Sequence, residues 1–187
     1  MTRLLQSYIS RGASQILALG KTEAILGVFQ KLIASKSNDH EGFYLMQAIV
    51  EHFPAEVMSQ YTKSVFQLLF QRLTSSKTTK FVKHFLVFMM LYAVKFSGQA
   101  LIEVVDSLQA NMFGMVCDRL IVAEVQKVSG ATEKKIVAVG MTRLLCETPA
   151  MVDGQYSQYW TPVLQALVGK WETNKSWLRA DVLRRLF

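Results

Sequence analysis

The chain has 187 residues, 51% of them hydrophobic and 19% charged, which is enough apolar material for one substantial core in one domain or repeat array. Three prolines and ten glycines exclude a disordered chain and a loop-rich all-β fold. The net charge of +7 suits an acidic protein partner, nucleic acid or a membrane surface, and the scatter of Lys and Arg without a dense run favours the acidic protein.

In chain order, Leu4, Leu5, Tyr8 and Ile9 recur at helical spacing, with Gly12 as a stop. A short segment with Ile16, Leu17 and Leu19 ends at Gly20. Thr22 is then positioned to cap a helix carrying Ile25, Leu26, Phe29, Leu32 and Ile33. Asn38 or Asp39 caps the next, which holds Phe43, Tyr44, Leu45, Ile49 and Val50 and stops before Pro54. A helix from about Tyr61 carries Val65, Phe66, Leu69 and Leu73. After the turn at Ser75-Ser76-Lys77-Thr78, a long helix runs from Thr79 to about Phe96. It is apolar nearly all round and must be covered on several sides.

Gly98 breaks that helix, and a shorter one follows from Ala100 to Leu108. Another begins near Met112. After the turn at Ser129-Gly130, Thr132 caps a helix with Ile136, Val137, Leu144 and Leu145. The last clear helix starts near Tyr156, and Pro162 within it means that it begins late or kinks.

Pro54-Ala55-Glu56-Val57-Met58-Ser59-Gln60-Tyr61 matches Pro149-Ala150-Met151-Val152-Asp153-Gly154-Gln155-Tyr156 in the pattern P-A-x-V-x-x-Q-Y. The separation equals roughly two units of about 40–47 residues, the period of HEAT or armadillo repeats. The first helices of such units begin near 22, 61, 112 and 157, and the second near 40, 79 and 132. The expected fold is therefore all-α, an α-solenoid of about four HEAT-type helical hairpins, in which a surface rather than a pocket carries function.

Motifs for catalysis are missing. His40, His52 and His84 share no metal-binding spacing, and the two cysteines, Cys117 and Cys146, read as buried reduced thiols of a nuclear or cytosolic protein. No phosphate-binding glycine motif or nucleophile elbow occurs. The expectation is no enzyme, no cofactor and no metal. The longest apolar run, Phe85 to Val94, is too short to cross a bilayer, which takes about 20 residues, so no membrane insertion is expected. Met1 leads directly into an amphipathic segment with Arg3 and Arg11, without a secretory pattern.

The basic residues of the second helices are the candidate site. Lys77, Lys80, Lys83 and His84 gather at the start of one second helix. Lys127, Lys134, Lys135 and Arg143 surround the start of the next. Stacked, Lys80 and Lys83 on Lys134 and Lys135 form a stripe for an acidic partner; the alternative is a solvated face that keeps the array soluble.

Ordered blocks carry a resemblance. Gly27-Val28-Phe29-Gln30-Lys31-Leu32-Ile33, Gly42-Phe43-Tyr44, Leu69-Phe70-Gln71-Arg72-Leu73, Ser76-Lys77-Thr78-Thr79-Lys80-Phe81, Met112-Phe113-Gly114-Met115-Val116 and Trp160-Thr161-Pro162 all take part. Together they resemble the C-terminal region of the cellular apoptosis susceptibility family, the importin-alpha re-exporters among the karyopherins. The resemblance covers about Leu4 to Trp171. It implies a HEAT superhelix that binds importin-alpha cooperatively with Ran in its GTP form, shuttles between nucleus and cytoplasm, and catalyses nothing. The family's N-terminal repeats, with its principal Ran-binding surface, lie outside the match.

The expected organisation is thus repeats over 1–171 and a divergent basic tail over 172–187. In the tail, Trp177, Leu178, Val182 and Leu186 either cap the last repeat or are an accident of splicing or gene model. Two rivals stand beside the receptor reading. One is a structural end piece that binds neither ligand alone. The other is a nucleic-acid-binding HEAT protein, which requires aromatics exposed beside the lysines.

Overall fold

The computed structural model describes residues 2–172. The basic residues Lys175, Arg179, Arg184 and Arg185 and the suggested cap lie outside the described residues. The chain forms α1 (Thr2–Ala18), α2 (Thr22–Ala34), α3 (Asp39–His52), α4 (Ala55–Ser75), α5 (Thr79–Phe96), α6 (Gly98–Asp106), α7 (Met112–Val116), α8 (Ala131–Glu147), α9 (Pro149–Val152) and α10 (Trp160–Glu172). No strand occurs among the described residues. The helices lie in two layers: α1, α3, α5 and α8 side by side in one, and α2, α4, α6 and α7 in the other, with α10 packed on α8. This is the helical solenoid expected from the sequence.

Phenylalanine fills the space between the layers. Phe29, Phe43, Phe66, Phe81, Phe85, Phe88 and Phe113 are fully buried. Phe70 meets Phe85 edge-on at 5.0 Å and Phe43 meets Phe81 at 5.1 Å between ring centres. Helix α5 lies in the middle, with α3 on one flank and α8 on the other. Eleven of its residues, Phe81 to Ala93 except Lys83 and His84, are consequently buried, as its all-round apolar pattern demands.

Local chemistry sets the helix ends. The Thr78 hydroxyl accepts from the Phe81 N–H at 3.2 Å and starts α5. Ser97, at φ 102°, turns the chain sharply and accepts from the Ala100 N–H at 3.1 Å, so α6 begins almost at once.

Several expectations are corrected. Gly12 kinks α1 rather than ending it. Thr22 and Thr132 lie within the first turns of their helices rather than capping them; Lys21 and Gly130 take the cap positions without a side-chain bond. Asn38 caps without one too, and Asp39 is committed elsewhere. Helix α4 starts at Ala55, not near Tyr61: Pro54 takes the cap position in an extended conformation, Met58 is buried in the early turns, and the buried Thr62 returns its hydroxyl to the Met58 carbonyl at 2.7 Å. The helix at Met112 gives way after five residues to π-helix over Cys117–Val122. Helix α10 begins late, with Pro162 in its first turn, where no N–H is needed.

The repeated octapeptide behaves differently in its two copies. Pro54 opens a helix of 21 residues, whereas Pro149 opens one of four. The buried Met58 of the first copy is replaced by Asp153, and Ser59 by Gly154, a poor helix former. The chain instead turns so that the buried Tyr156 donates to Asp106 at 2.6 Å, while Asp106 also accepts from the Phe113 N–H at 3.0 Å. One carboxylate thus ties α6, α7 and the approach to α10 together. Burial, reinforced by that hydrogen bond, raises the Tyr156 phenol well above its usual range.

Candidate partner-binding surface

The parallel course of α3, α5 and α8 decides which basic residues meet. Gly140 of α8 lies against the backbone of Met90, where an added Cβ would stand 2.7 Å from its carbonyl oxygen. Arg143 reaches the Val94 carbonyl at 2.6 Å. Carried back along both helices, this register puts Lys134 level with His84. On the other flank, Lys80 Nζ lies 2.9 Å from His40 Nδ1, and the Tyr44 ring meets that of His84 at 5.6 Å. The first turns of all three helices therefore come to one edge of the layer.

Of the residues singled out in the sequence, Lys80, Lys83, Lys134 and Lys135 gather at this edge. Lys83 and Lys134 are half-buried, and Lys80 and Lys135 exposed. Lys83, Lys134 and Lys135 form no ion pair with a described residue. Lys77 and Lys127 differ. Both grip Glu124, at 3.3 and 2.8 Å, and hold the loop before α5 to the 3-10 turn Val125–Lys127. The hydrogen bond from Lys127, opposed by burial and helped by Lys77, keeps the Glu124 carboxyl below its usual range. Arg143 lies about 13 Å along α8 from Lys134, at the opposite end of the helix from the cluster. Besides the Val94 carbonyl it faces Glu147 at 3.8 Å.

Sequence reasoning missed three groups of contributors. His40 and Tyr44 of α3 join His84 in a ring cluster, with His40 and His84 centres 6.3 Å apart. Glu124 was detectable only as a carboxylate three residues before Lys127. Asp39 and Arg72 form a buried ion pair at 3.3 Å. Arg72 also donates to the carbonyls of Ile33 and Ser76 and stacks over the Phe81 ring, so it binds the ends of α2, α3, α4 and α5 together beneath the basic edge.

The cysteines correct a further expectation, since Cys117 is buried but Cys146 is exposed. Burial, then the nearby Asp118 and Asp106, push the Cys117 thiol up to about 12, which leaves it unreactive. Among the described residues no group of three or more His, Cys, Asp or Glu side chains is arranged for a metal, and no helix is long and apolar enough to cross a membrane.

The model of the CAS/CSE protein C-terminus matches residues 1–181. The chain belongs to the CAS/CSE family. The family match continues past Trp171 into the segment set apart above as a tail.

Exportin-2 of Pagrus major is 59% identical over 174 residues, and exportin-2 of Xenopus laevis and of Homo sapiens are 58% and 55% identical over the same length. Each alignment covers 92% of this chain and 18% of the relative, so the chain spans under a fifth of those CAS/CSE proteins. Among solved structures, the exportin Cse1 in its cargo-free, cytoplasmic state superposes with a TM-score of 0.82 at 28% identity, over 90% of this chain and 18% of that one.

Proposed function

We propose that this chain acts as the C-terminal helical portion of a nuclear export receptor that binds importin-alpha together with Ran-GTP and returns it from nucleus to cytoplasm. The observation that carries the proposal is its 55–59% identity to exportin-2 over nearly its whole length. The mechanism is reversible surface complementarity. If importin-alpha and Ran-GTP each favour the same curvature of the solenoid, each tightens the other's binding by the same factor. Lys80, Lys83, Lys134 and Lys135 supply the acidic-partner contacts. Lys77, Lys127 and Arg143 contribute less, because each already serves an internal carboxylate or carbonyl.

A second reading, a structural end piece that binds neither ligand alone, is favoured by the chain's spanning only 18% of its relatives. Calorimetry separates the two. Binding of importin-alpha that strengthens with Ran-GTP and weakens with salt supports the receptor reading. Charge reversal of Lys80, Lys83, Lys134 and Lys135 is then expected to weaken it by about tenfold or more, with helical content unchanged. Silence from a folded monomer, with and without Ran-GTP, overturns the receptor reading for this chain and leaves the end piece.

A further inference from the structure

The layer that bears the lysines also bears a polar cleft of about 420 Å³ between α1 and α3, lined among others by Arg3, Gln6, Tyr44, Gln47 and Glu51. The side chains of Gln6, Gln47 and Tyr44 make no hydrogen bond with a described residue, and Arg3 has no ion-pair partner among them. A glutamine amide offers a donor and an acceptor side by side, which is the complement of a peptide group. Two such amides in one cleft suit a main chain more than an apolar ligand.

Tyr44 connects this cleft to the basic edge. It lines the cleft, and its ring touches His40 at 6.1 Å and His84 at 5.6 Å between centres. Lys80, bonded to His40, comes next, followed by Lys83 and, at the same level on α8, Lys134 and Lys135. The acids along this path are Glu51 in the cleft, Glu41 3.5 Å from His40, and Glu133 in the first turn of α8. They are outnumbered by Arg3 and the four lysines. Neighbouring helices lie roughly 8–10 Å apart, so the path from α1 to α8 measures about 25–30 Å, the length of some eight or nine extended residues.

From this continuity we infer that the second-helix layer binds an extended acidic peptide segment. Its main chain lies along Gln6 and Gln47, and its carboxylates meet Arg3 at one end and Lys83, Lys134 and Lys135 at the other. Single-stranded nucleic acid fits less well. The rings at hand are engaged with one another, and His84 is stacked on Phe43 at 5.9 Å, which removes the open faces that bases need. The inference deepens the receptor reading and rests on it only in taking the partner to be a protein.

The test uses the whole chain and a fluorescein-labelled peptide of about nine alternating Glu and Ser residues, read by anisotropy at two salt concentrations. The expected result is binding that weakens with salt, that a Lys-Ser peptide does not reproduce, and that falls about tenfold in the Gln6→Ala/Gln47→Ala variant while the salt dependence persists. Lys83→Glu/Lys134→Glu is expected to abolish it with the circular dichroism spectrum unchanged. Undiminished affinity in the glutamine variant, no binding to the wild type, or tighter binding of an oligothymidine of equal length each overturns the inference. Importin-alpha with Ran-GTP is titrated into the same preparations. If that complex forms while the peptide does not bind, the peptide track alone falls; if the peptide binds while the complex does not form, the receptor reading alone falls.

Discussion

Arg72 shows how much of this fold depends on single polar side chains. It is 6% exposed, and its guanidinium serves two carbonyls, a carboxylate and an aromatic face. Asp39, fully buried, accepts from it through one oxygen, and its other oxygen has no hydrogen-bond partner among the described residues. Removing one member of a buried pair leaves a charge without compensation, at a cost of about 3–5 kcal/mol. Arg72→Met keeps the stem and its packing but strands Asp39. Urea unfolding of this variant is expected to show a loss of that size, and Arg72→Met/Asp39→Leu is expected to recover part of it. Equal losses in the single and double variants would mean that the pair matters for shape rather than charge. The pair has no local sequence signature, since its members stand more than thirty positions apart and meet only through the hairpin stacking.

At the scale of helices, α8 packs directly against the backbone of α5 at Gly140. A Cβ there would sit 2.7 Å from the Met90 carbonyl oxygen and 2.9 Å from its Cα, both backbone atoms that cannot turn aside. Gly140→Ala gains up to about 1 kcal/mol of helix propensity and loses about 1–3 kcal/mol to overpacking. The net expectation is a lower unfolding midpoint, and a higher one would show that the two helices part without cost. Helix α5 was legible in the sequence because its apolar run and the turn at Ser75–Thr78 agree, although Ser97 rather than Gly98 makes the sharp break after it. The start of α4 was not, because among Ala55–Gln60 only Met58 is buried and no apolar stripe marks those turns. Nor was the π-helical stretch at Cys117, whose residues carry the same apolar spacing as an α-helix. The candidate surface was legible to the same extent. Charge and spacing singled out Lys80, Lys83, Lys134 and Lys135 as the proposed partner surface, while the capture of Lys77 and Lys127 by Glu124, and the distance of Arg143 from Lys134 along α8, follow from tertiary packing that no local pattern records.

Across the whole molecule, stability is distributed as in a one-dimensional array. Each hairpin contacts its neighbours, so the total is close to a sum of unit and interface terms. Helices with neighbours on both flanks then open at higher free energy than those at the ends. Helix α5 is flanked by α3 and α8 and faces α4 and α6, whereas α1 packs on α3 and leaves Leu4 and Tyr8 more than 60% exposed. Hydrogen exchange is therefore expected to be slowest in α5, intermediate in α3 and α8, and fastest in the first turns of α1. A substitution at the centre is expected to reach every unit. Phe85→Ala removes a fully buried ring that meets Phe43, Phe66, Phe70 and Phe81, at a cost of about 3–5 kcal/mol. Because both hairpin interfaces lose a wall of their shared core, protection is expected to fall in α3 and α8 as well as in α5. Loss confined to α5 would mean that the flanking helices stand on their own contacts, and that the basic edge they share with α5 is assembled from separable pieces rather than held as one surface.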